Sequence, residues 1–337
     1  MDHHLIPQRV AQELLQPHDV TLGQLARGGL SGARVWQADS RHGQVALRCW
    51  APGHPTPERL GQQHAAMRRA CQRGETCVPR VYSTLTGNSF CQVGQQLWEL
   101  TQWMPGQADY LQRPSLDRLQ AALEQLGRLH RVWSRDSPQL AGTSPTARDR
   151  YQRLQRWLAQ LAALRGLPSR RSDPLGDGPG TLIPQLAEET LWQLAHRGPQ
   201  LLTELRPLVD QRVGLHFVIR DIWSEHVLFT EHRVTGIIDF GAARIDEPAA
   251  DVARLLGSLE PRDQTRWLTG WQAYHGVQRL VELQRVQVLD RVGGLLAAAQ
   301  WLEWLVLERR QFAAPLHQLT ERWQHLLQRL EYWDRLG

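Results

Sequence analysis

The apolar residues change period near position 104: before Met104-Pro105-Gly106 they mostly alternate every second residue, with one helical stretch inserted, and after it they recur at helical spacing, apart from one island at 213–241. A small antiparallel sheet followed by a large helical body is what such a pattern can bury. Residues 20–50 read as strand, glycine loop, strand, turn and strand: VTLGQLA, RGGLSG, ARVWQAD, the Arg41-His42-Gly43 turn, and QVALRCW. Thr56-Pro57 offers an N-cap with proline at the first helical position, and Leu60, His64 and Met67 follow at helical spacing. Two more strands are expected at 81–84 and 96–103, joined across Gly87-Asn88.

Beyond residue 104, Leu116, Leu119, Leu123, Leu126, His130 and Trp133 mark an amphipathic helix capped by Ser115, and Tyr151, Leu154, Leu158 and Leu161 mark a second. Residues 166–182, rich in Gly, Pro and Ser, read as an exposed loop. Further helices are expected near 184–196, 199–210, 262–274, 279–309 and 315–335. Trp267, Trp271, Trp301 and Trp304 fall at helical spacing; core packing is the plain reading, and an aromatic wall for a cationic or sugar ligand the sharper one. The island, VGLHFVIRDIWSEHVLFTEHRVTGIIDFG, reads as two short strands around a turn.

At 337 residues, with 42% hydrophobic and 22% charged residues, the chain is long enough for two lobes or domains with a sizeable core. All 39 basic side chains other than histidine are arginine, for there is no lysine. That excludes a Walker A phosphate loop, a Schiff-base enzyme and a pyridoxal-phosphate enzyme, which need the amine. The net charge of +5 would permit nucleic-acid contact, but the arginines are scattered, the densest groups being Arg68-Arg69, Arg170-Arg171 and Arg309-Arg310, so neither a nucleic acid nor a membrane is expected as partner. The cysteines, Cys49, Cys71, Cys77 and Cys91, form no C-x-x-C pair, and with no secretory leader or membrane-length apolar run the expectation is a reduced, cytoplasmic protein. Nothing in the sequence specifies an oligomeric state.

The chemistry is concentrated in the island. Asp221 follows an apolar run and Asp239 follows Gly-Ile-Ile, and a hairpin over the eighteen residues separating them could bring both carboxylates to one point. Such a pair is suited to holding a divalent cation and orienting a hydroxyl nucleophile; either aspartate alone could equally serve a turn or a cap. An ionised carboxylate between Ile238 and Phe240 is costly unless paired or coordinated.

Ile219-Arg220-Asp221 with His226 five residues on, Ile238-Asp239-Phe240-Gly241, Asp246-Glu247-Pro248 and Asp251-Val252-Ala253 together resemble the aminoglycoside phosphotransferase and choline kinase family, relatives of the protein kinases. Gly28-Gly29-Leu30-Ser31-Gly32, Arg48 ending a Val-Ala-Leu strand, and Leu126-Gly127-Arg128-Leu129-His130 agree in order with the same group. The resemblance spans about residues 20 to 260. It implies an α+β, protein-kinase-like two-lobed fold: a small antiparallel-sheet nucleotide-binding N-lobe over 1–103, and a larger mainly helical C-lobe over 104–337 that holds the catalytic loop (213–241) and a C-terminal helical substrate subdomain.

The resemblance also implies roles. Asp221 would accept or orient the proton of the substrate hydroxyl, and Asp239 would hold Mg²⁺ on the phosphates of ATP or GTP, with Mn²⁺ a second option. The backbone of Gly28, Gly29, Ser31 and Gly32 would lie over those phosphates, Arg48 would anchor them, and the stretch from Glu99 through Thr101 to Trp103 would receive the adenine. Asp251 would brace the catalytic loop. Arg48 stands where the family has lysine, His64 where its helix carries the matching glutamate, with Glu58 as the other partner for Arg48. Ile219 replaces the loop histidine. His226 replaces the metal-binding asparagine, and either contributes to the metal or hydrogen-bonds across the loop to Asp221. The segment from Asp239 to Asp246 is too short for the peptide platform of a protein kinase, so the expected reaction is phosphoryl transfer to a small-molecule hydroxyl. The alternative is a non-catalytic nucleotide-binding or scaffold protein.

Overall fold

The computed structural model describes residues 6–26, 32–136, 140–164, 182–312 and 314–334. The loop expected at 166–182 lies outside the described residues except for its last position, which opens a helix. Contacts group the chain into two compact units, Met1–Asp136 with Phe217–Arg244, and Ser137–His216 with Ile245–Gly337. The boundary expected at residue 103 falls inside the first unit.

In that first unit a short helix α1 (Gln8–Val10) precedes the sheet. Strands β1 (Thr21–Leu25), β2 (Arg34–Ser40) and β3 (Gly43–Cys49) follow the alternation of the sequence. With β4 (Cys91–Val93) and β5 (Gln96–Gln102) they make an antiparallel sheet in the order β1-β2-β3-β5-β4. Trp36, Ala38, Val45, Leu47, Trp98 and Leu100 point into one buried cluster with Val10 and Leu14. A slip of one residue would turn that whole set to solvent, so the register is firmly set. It places Arg48 of β3 directly opposite Glu99 of β5.

The strand expected at 81–84 is reduced to one bridge, Val81 to Thr101. Thr84 explains the loss: its N–H donates to Asn88 O at 2.7 Å and its hydroxyl accepts from Asn88 N at 3.0 Å, so the backbone turns on itself. The hairpin to β5 is made instead by β4, across Gly94-Gln95. Helix α2 (Pro57–Gln72) begins at its expected cap, where Thr56 accepts from Arg59 N at 3.3 Å. Helix α3 (Leu116–Asp136) is capped by Ser115 and buries Leu119, Leu123, Leu126, His130 and Trp133. Trp133 Nε1 donates to Ala66 O at 3.1 Å and ties α3 to α2.

Among its described residues the second unit holds a small pair, β6 (Ala141–Thr143) with β7 (Arg212–Gly214), and six α-helices: α4 (Pro145–Leu164), α5 (Leu182–Asp210), α6 (Ala249–Leu259), α7 (Gln264–Val277), α8 (Leu283–Leu302) and α9 (Leu316–Asp334). The helices expected at 184–196 and 199–210 are one, α5, which runs through Pro199 and Pro207. A proline removes one backbone hydrogen bond, but Leu194, Leu201 and Leu205 are buried along the same helix, and their packing keeps it continuous. Helix α8 ends at Leu302 and gives way to a wider turn over Glu303–Leu307, short of the expected 309. Two of these tryptophans, Trp267 and Trp301, are buried: Trp267 Nε1 donates to Asp290 at 3.2 Å, and Trp301 meets Trp304 edge to face at 5.4 Å. The four cysteines are free, and burial pushes the Cys77 thiol up to about 12. Among the described residues no helix is long and apolar enough to cross a membrane.

Candidate active site

Strand β8 (His216–Val218) leads into the loop of Asp221, and the hairpin β9 (Val227–Thr230) to β10 (Arg233–Ile237) brings the chain back to it. Ile238 N donates to His226 O at 3.0 Å, closing the return just before Asp239. Asp239 adopts a left-handed conformation, φ 63° and ψ 69°, and its carboxylate accepts from Gly241 N at 3.4 Å. That backbone costs on the order of 1 kcal/mol or more for a non-glycine residue and turns the carboxylate out of the apolar strand. Gly241 is required on packing grounds, since a Cβ there would stand 2.9 Å from the Trp50 ring.

Helix α2 holds the segment that follows. Gln63 Nε2 donates to Gly241 O at 3.0 Å and to Ala243 O at 3.3 Å, and Arg59, one turn earlier, donates to Ala242 O at 2.9 Å. Three consecutive carbonyls are thus tied to one helix face. Sequence reading missed both side chains; a glutamine at helical spacing with Leu60, Ala66 and Met67 was the available signal.

His226 sits under the loop rather than free within it. Its Nδ1 lies 2.7 Å from Asp221 O, and since a carbonyl only accepts, Nδ1 carries the proton. Nε2 is then the acceptor, and Trp223 Nε1 donates to it at 2.9 Å. The indole of Trp223 is a partner the sequence did not announce. The hydrogen bond across the loop expected of His226 is made to the backbone of Asp221. Its Nε2 lies 3.8 Å from Asp239.

Arg48 connects this loop to the sheet. Its Nη1 donates to Asp239 at 3.3 Å, its Nε lies 3.6 Å from Glu99, and the guanidinium stacks 4.7 Å over Trp50. Glu99 in turn accepts from His64 Nε2 at 2.5 Å, with both side chains buried. Asp239, Arg48, Glu99 and His64 therefore form one chain of side-chain contacts, and the backbone of Asp221 is joined to its near end through His226. Glu58, the other partner considered for Arg48, is exposed and accepts from Gln62. Burial alone would lift the Asp239 pKa, but the charge of Arg48 together with the Gly241 N–H works against it, and the carboxyl is held below the ordinary value.

The remaining expected residues are more dispersed. Thr101 pairs with Ala46 in the ladder, and the neighbouring Leu100 O, Gln102 N and Trp103 N are bonded to Tyr82, Arg80 and Gln44; the chain leaves the sheet only at Met104. Gly32 has φ +73° and needs its glycine, while Gly28, Gly29 and Ser31 lie outside the described residues. In the second unit Asp246 accepts from Thr146, Glu247 pairs with Arg285 and Ser144, and Asp251 is fully buried on α6.

The sequence matches the model of the Phosphotransferase enzyme family over residues 23–289. The chain belongs to that family. No curated protein matches it. Among solved structures, this phosphotransferase-family chain is similar to a spectinomycin phosphotransferase in complex with ADP and spectinomycin, 13% identical with TM-score 0.66 over 97% of this chain and 98% of that one. It is also similar to an aminoglycoside phosphotransferase from Alicyclobacillus acidocaldarius, 17% identical with TM-score 0.58, over 98% and 96% of the two chains. An amicoumacin kinase in complex with AMP-PNP and Ca²⁺ is 14% identical, with TM-score 0.59 over 99% and 94%. At these identities the shared property is the fold, kinase-like with a small antiparallel sheet and a mainly helical remainder, as expected from the sequence.

A pH dependence follows for this family member. Burial works to raise the Glu99 pKa, but the hydrogen bond and charge of His64, then the charge of Arg48, outweigh it and hold it below the ordinary value of about 4.3. A carboxylate depressed on folding contributes stability that is present above its unfolded pKa and lost as pH falls through the folded one. Glu99→Gln should therefore flatten the acid limb of the stability curve below about pH 4.3. Urea unfolding from pH 6 down to 3 checks this; an acid limb as steep as the parent's would contradict it.

Proposed function

We propose that this chain transfers the γ-phosphoryl group of ATP or GTP to a hydroxyl of a small molecule. The observation that carries the reading is the line from the Asp221 loop through His226 and Asp239 to Arg48, which gathers a proton acceptor, a cation-holding carboxylate and a phosphate-pairing guanidinium in one unit. Family membership and the nucleotides and Ca²⁺ bound by the similar structures support it.

In this reading Asp221 orients the acceptor hydroxyl and takes its proton, and His226 with Trp223 fixes the loop that presents it. Arg48 pairs with the nucleotide phosphates, the glycine loop containing Gly32 covers them, and the backbone beyond Met104 receives the base. Asp239 would hold the divalent cation. Its side chain is 40% exposed and already favours the ionised form, and no cluster of three metal-ligating side chains occurs among the described residues. That combination suits Mg²⁺, which takes one or two carboxylates and completes its shell with water and phosphate oxygens. The cation, when bound, neutralises charge on the phosphates. Residues 261–337 carry ten arginines against eight acidic residues, which favours a neutral or anionic acceptor over a polycation.

Calorimetry tests the reading. Arg48→Ala should weaken ATP binding much more than adenosine binding, since adenosine has no phosphate to lose. Arg48→Lys, which keeps the charge and discards the fork, should stay within about tenfold of the parent, about 1.4 kcal/mol. Equal ATP affinity of the alanine variant and the parent would remove Arg48 from the phosphate site.

A further inference from the structure

The pairing of the phosphate anchor differs from the one the sequence led to expect. Neither candidate on α2 touches Arg48: Glu58 is engaged with Gln62, and His64 bonds to Glu99. The acid beside the Arg48 Nε is Glu99, which the strand register sets directly across from it. Side chains directly opposite on neighbouring antiparallel strands share a face and meet without any movement of a helix. The two oxygens of Glu99 divide the work, Oε1 toward Arg48 and Oε2 toward His64. Because a carboxylate only accepts, His64 Nε2 carries the shared proton, and the other ring nitrogen, Nδ1, is buried without a hydrogen-bond partner. Leaving a ring nitrogen buried and unpaired is costly, so the orientation of His64 is set by its bond to Glu99.

From this we infer that Glu99 is a positioning residue, a strand-borne counter-ion that fixes Arg48 for the nucleotide phosphates, with His64 as its clamp. The inference rests on the nucleotide reading above and assigns Glu99 a place beneath the phosphates rather than at the base. The fork of arginine makes the arrangement workable: its Nε edge stays on Glu99 while Nη1, now on Asp239, is the end that turns to phosphate when a cation takes that carboxylate. Helix α2 is left to hold the carbonyls of Gly241, Ala242 and Ala243. The anchor is thereby set by sheet register, which cannot be loosened by a small shift of the helix.

The test compares ATP with adenosine by calorimetry. Glu99→Gln should weaken ATP about tenfold or more while adenosine stays within about twofold, and Glu58→Gln should change neither. In the Arg48→Ala background Glu99→Gln should cost nothing further, because Glu99 acts through Arg48. Equal losses for ATP and adenosine, losses that add in the double variant, or unchanged ATP affinity would each overturn the assignment. If Glu99→Gln does not fold, Glu99→Asp keeps the charge one methylene further back and should show a smaller loss with the same selectivity. Unfolding of Arg48→Gln, Glu99→Gln and the double variant without nucleotide separates this inference from the function. Unfolding constants that depart from additivity by about fivefold or more support the pair, and additive ones refute it. A parent that binds no nucleotide, with the pair still coupled, would end the phosphate role and the proposed function while leaving the ion pair in place.

Discussion

Asp221→Asn is expected to remove turnover by about 10²–10⁴-fold while ATP affinity stays within a few-fold of the parent, because a positioned proton acceptor acts in the chemical step and not in ground-state binding. Asparagine has the size and the hydrogen-bonding oxygen of aspartate but cannot take a proton. The loop should survive the change, since asparagine fills the same space, His226 still bonds to Asp221 O, and Arg220 turns the chain at φ 66°. Phosphate transfer from ATP to a panel of small hydroxylated compounds, with calorimetry alongside, provides the measurement. Turnover that survives within a few-fold would move the proton to another group, and a collapse of ATP affinity would mean that the residue holds the nucleotide instead.

Asp239→Asn is expected to abolish the gain in ATP affinity that Mg²⁺ or Mn²⁺ brings, while affinity measured in EDTA stays the same or rises. Both halves follow from one carboxylate. With a cation present it supplies the anionic ligand that asparagine lacks. Without one it repels the phosphates and occupies Nη1 of Arg48 at 3.3 Å, so its removal frees a donor for the nucleotide. The backbone of residues 241–243 is held by Arg59 and Gln63, and the fold should persist. Calorimetry with ATP in EDTA and in each metal checks the two halves separately. A metal-dependent gain equal to the parent's would place the cation elsewhere, and a fall in EDTA would show that the carboxylate supports the empty site.

The elements that the sequence predicted well are those specified over a few neighbouring residues. Alternation located β2 and β3, Thr56-Pro57 located the start of α2, and Ser115 the start of α3. Local signals misled where a longer-range term competed with them. The hydroxyl of Thr84 turned an expected strand into a loop, and buried leucines carried α5 through two prolines. The Asp221 and Asp239 loops were legible because an acid at the end of an apolar run is conspicuous. Trp223, Arg59 and Gln63 were not, because a tryptophan or a helix glutamine looks the same wherever its polar atom points.

By itself the sequence determined the order of sheet and helix, the caps, the conspicuous acids Asp221 and Asp239 at the ends of apolar runs, and the absence of any lysine to hold phosphate. Only the tertiary structure decided what holds Arg48. Asp239 is 191 residues away from it in sequence, and Glu99 is its counter-ion because β3 and β5 pair in one register and no other. Register follows from burying Val45, Leu47, Trp98 and Leu100 together, a sum over a whole face that no short stretch of chain contains. The same holds for His226: its residue type left metal ligand and hydrogen-bond donor both open, and the Asp221 carbonyl and the Trp223 indole, placed on either side of the ring by the folded loop, set where its proton sits.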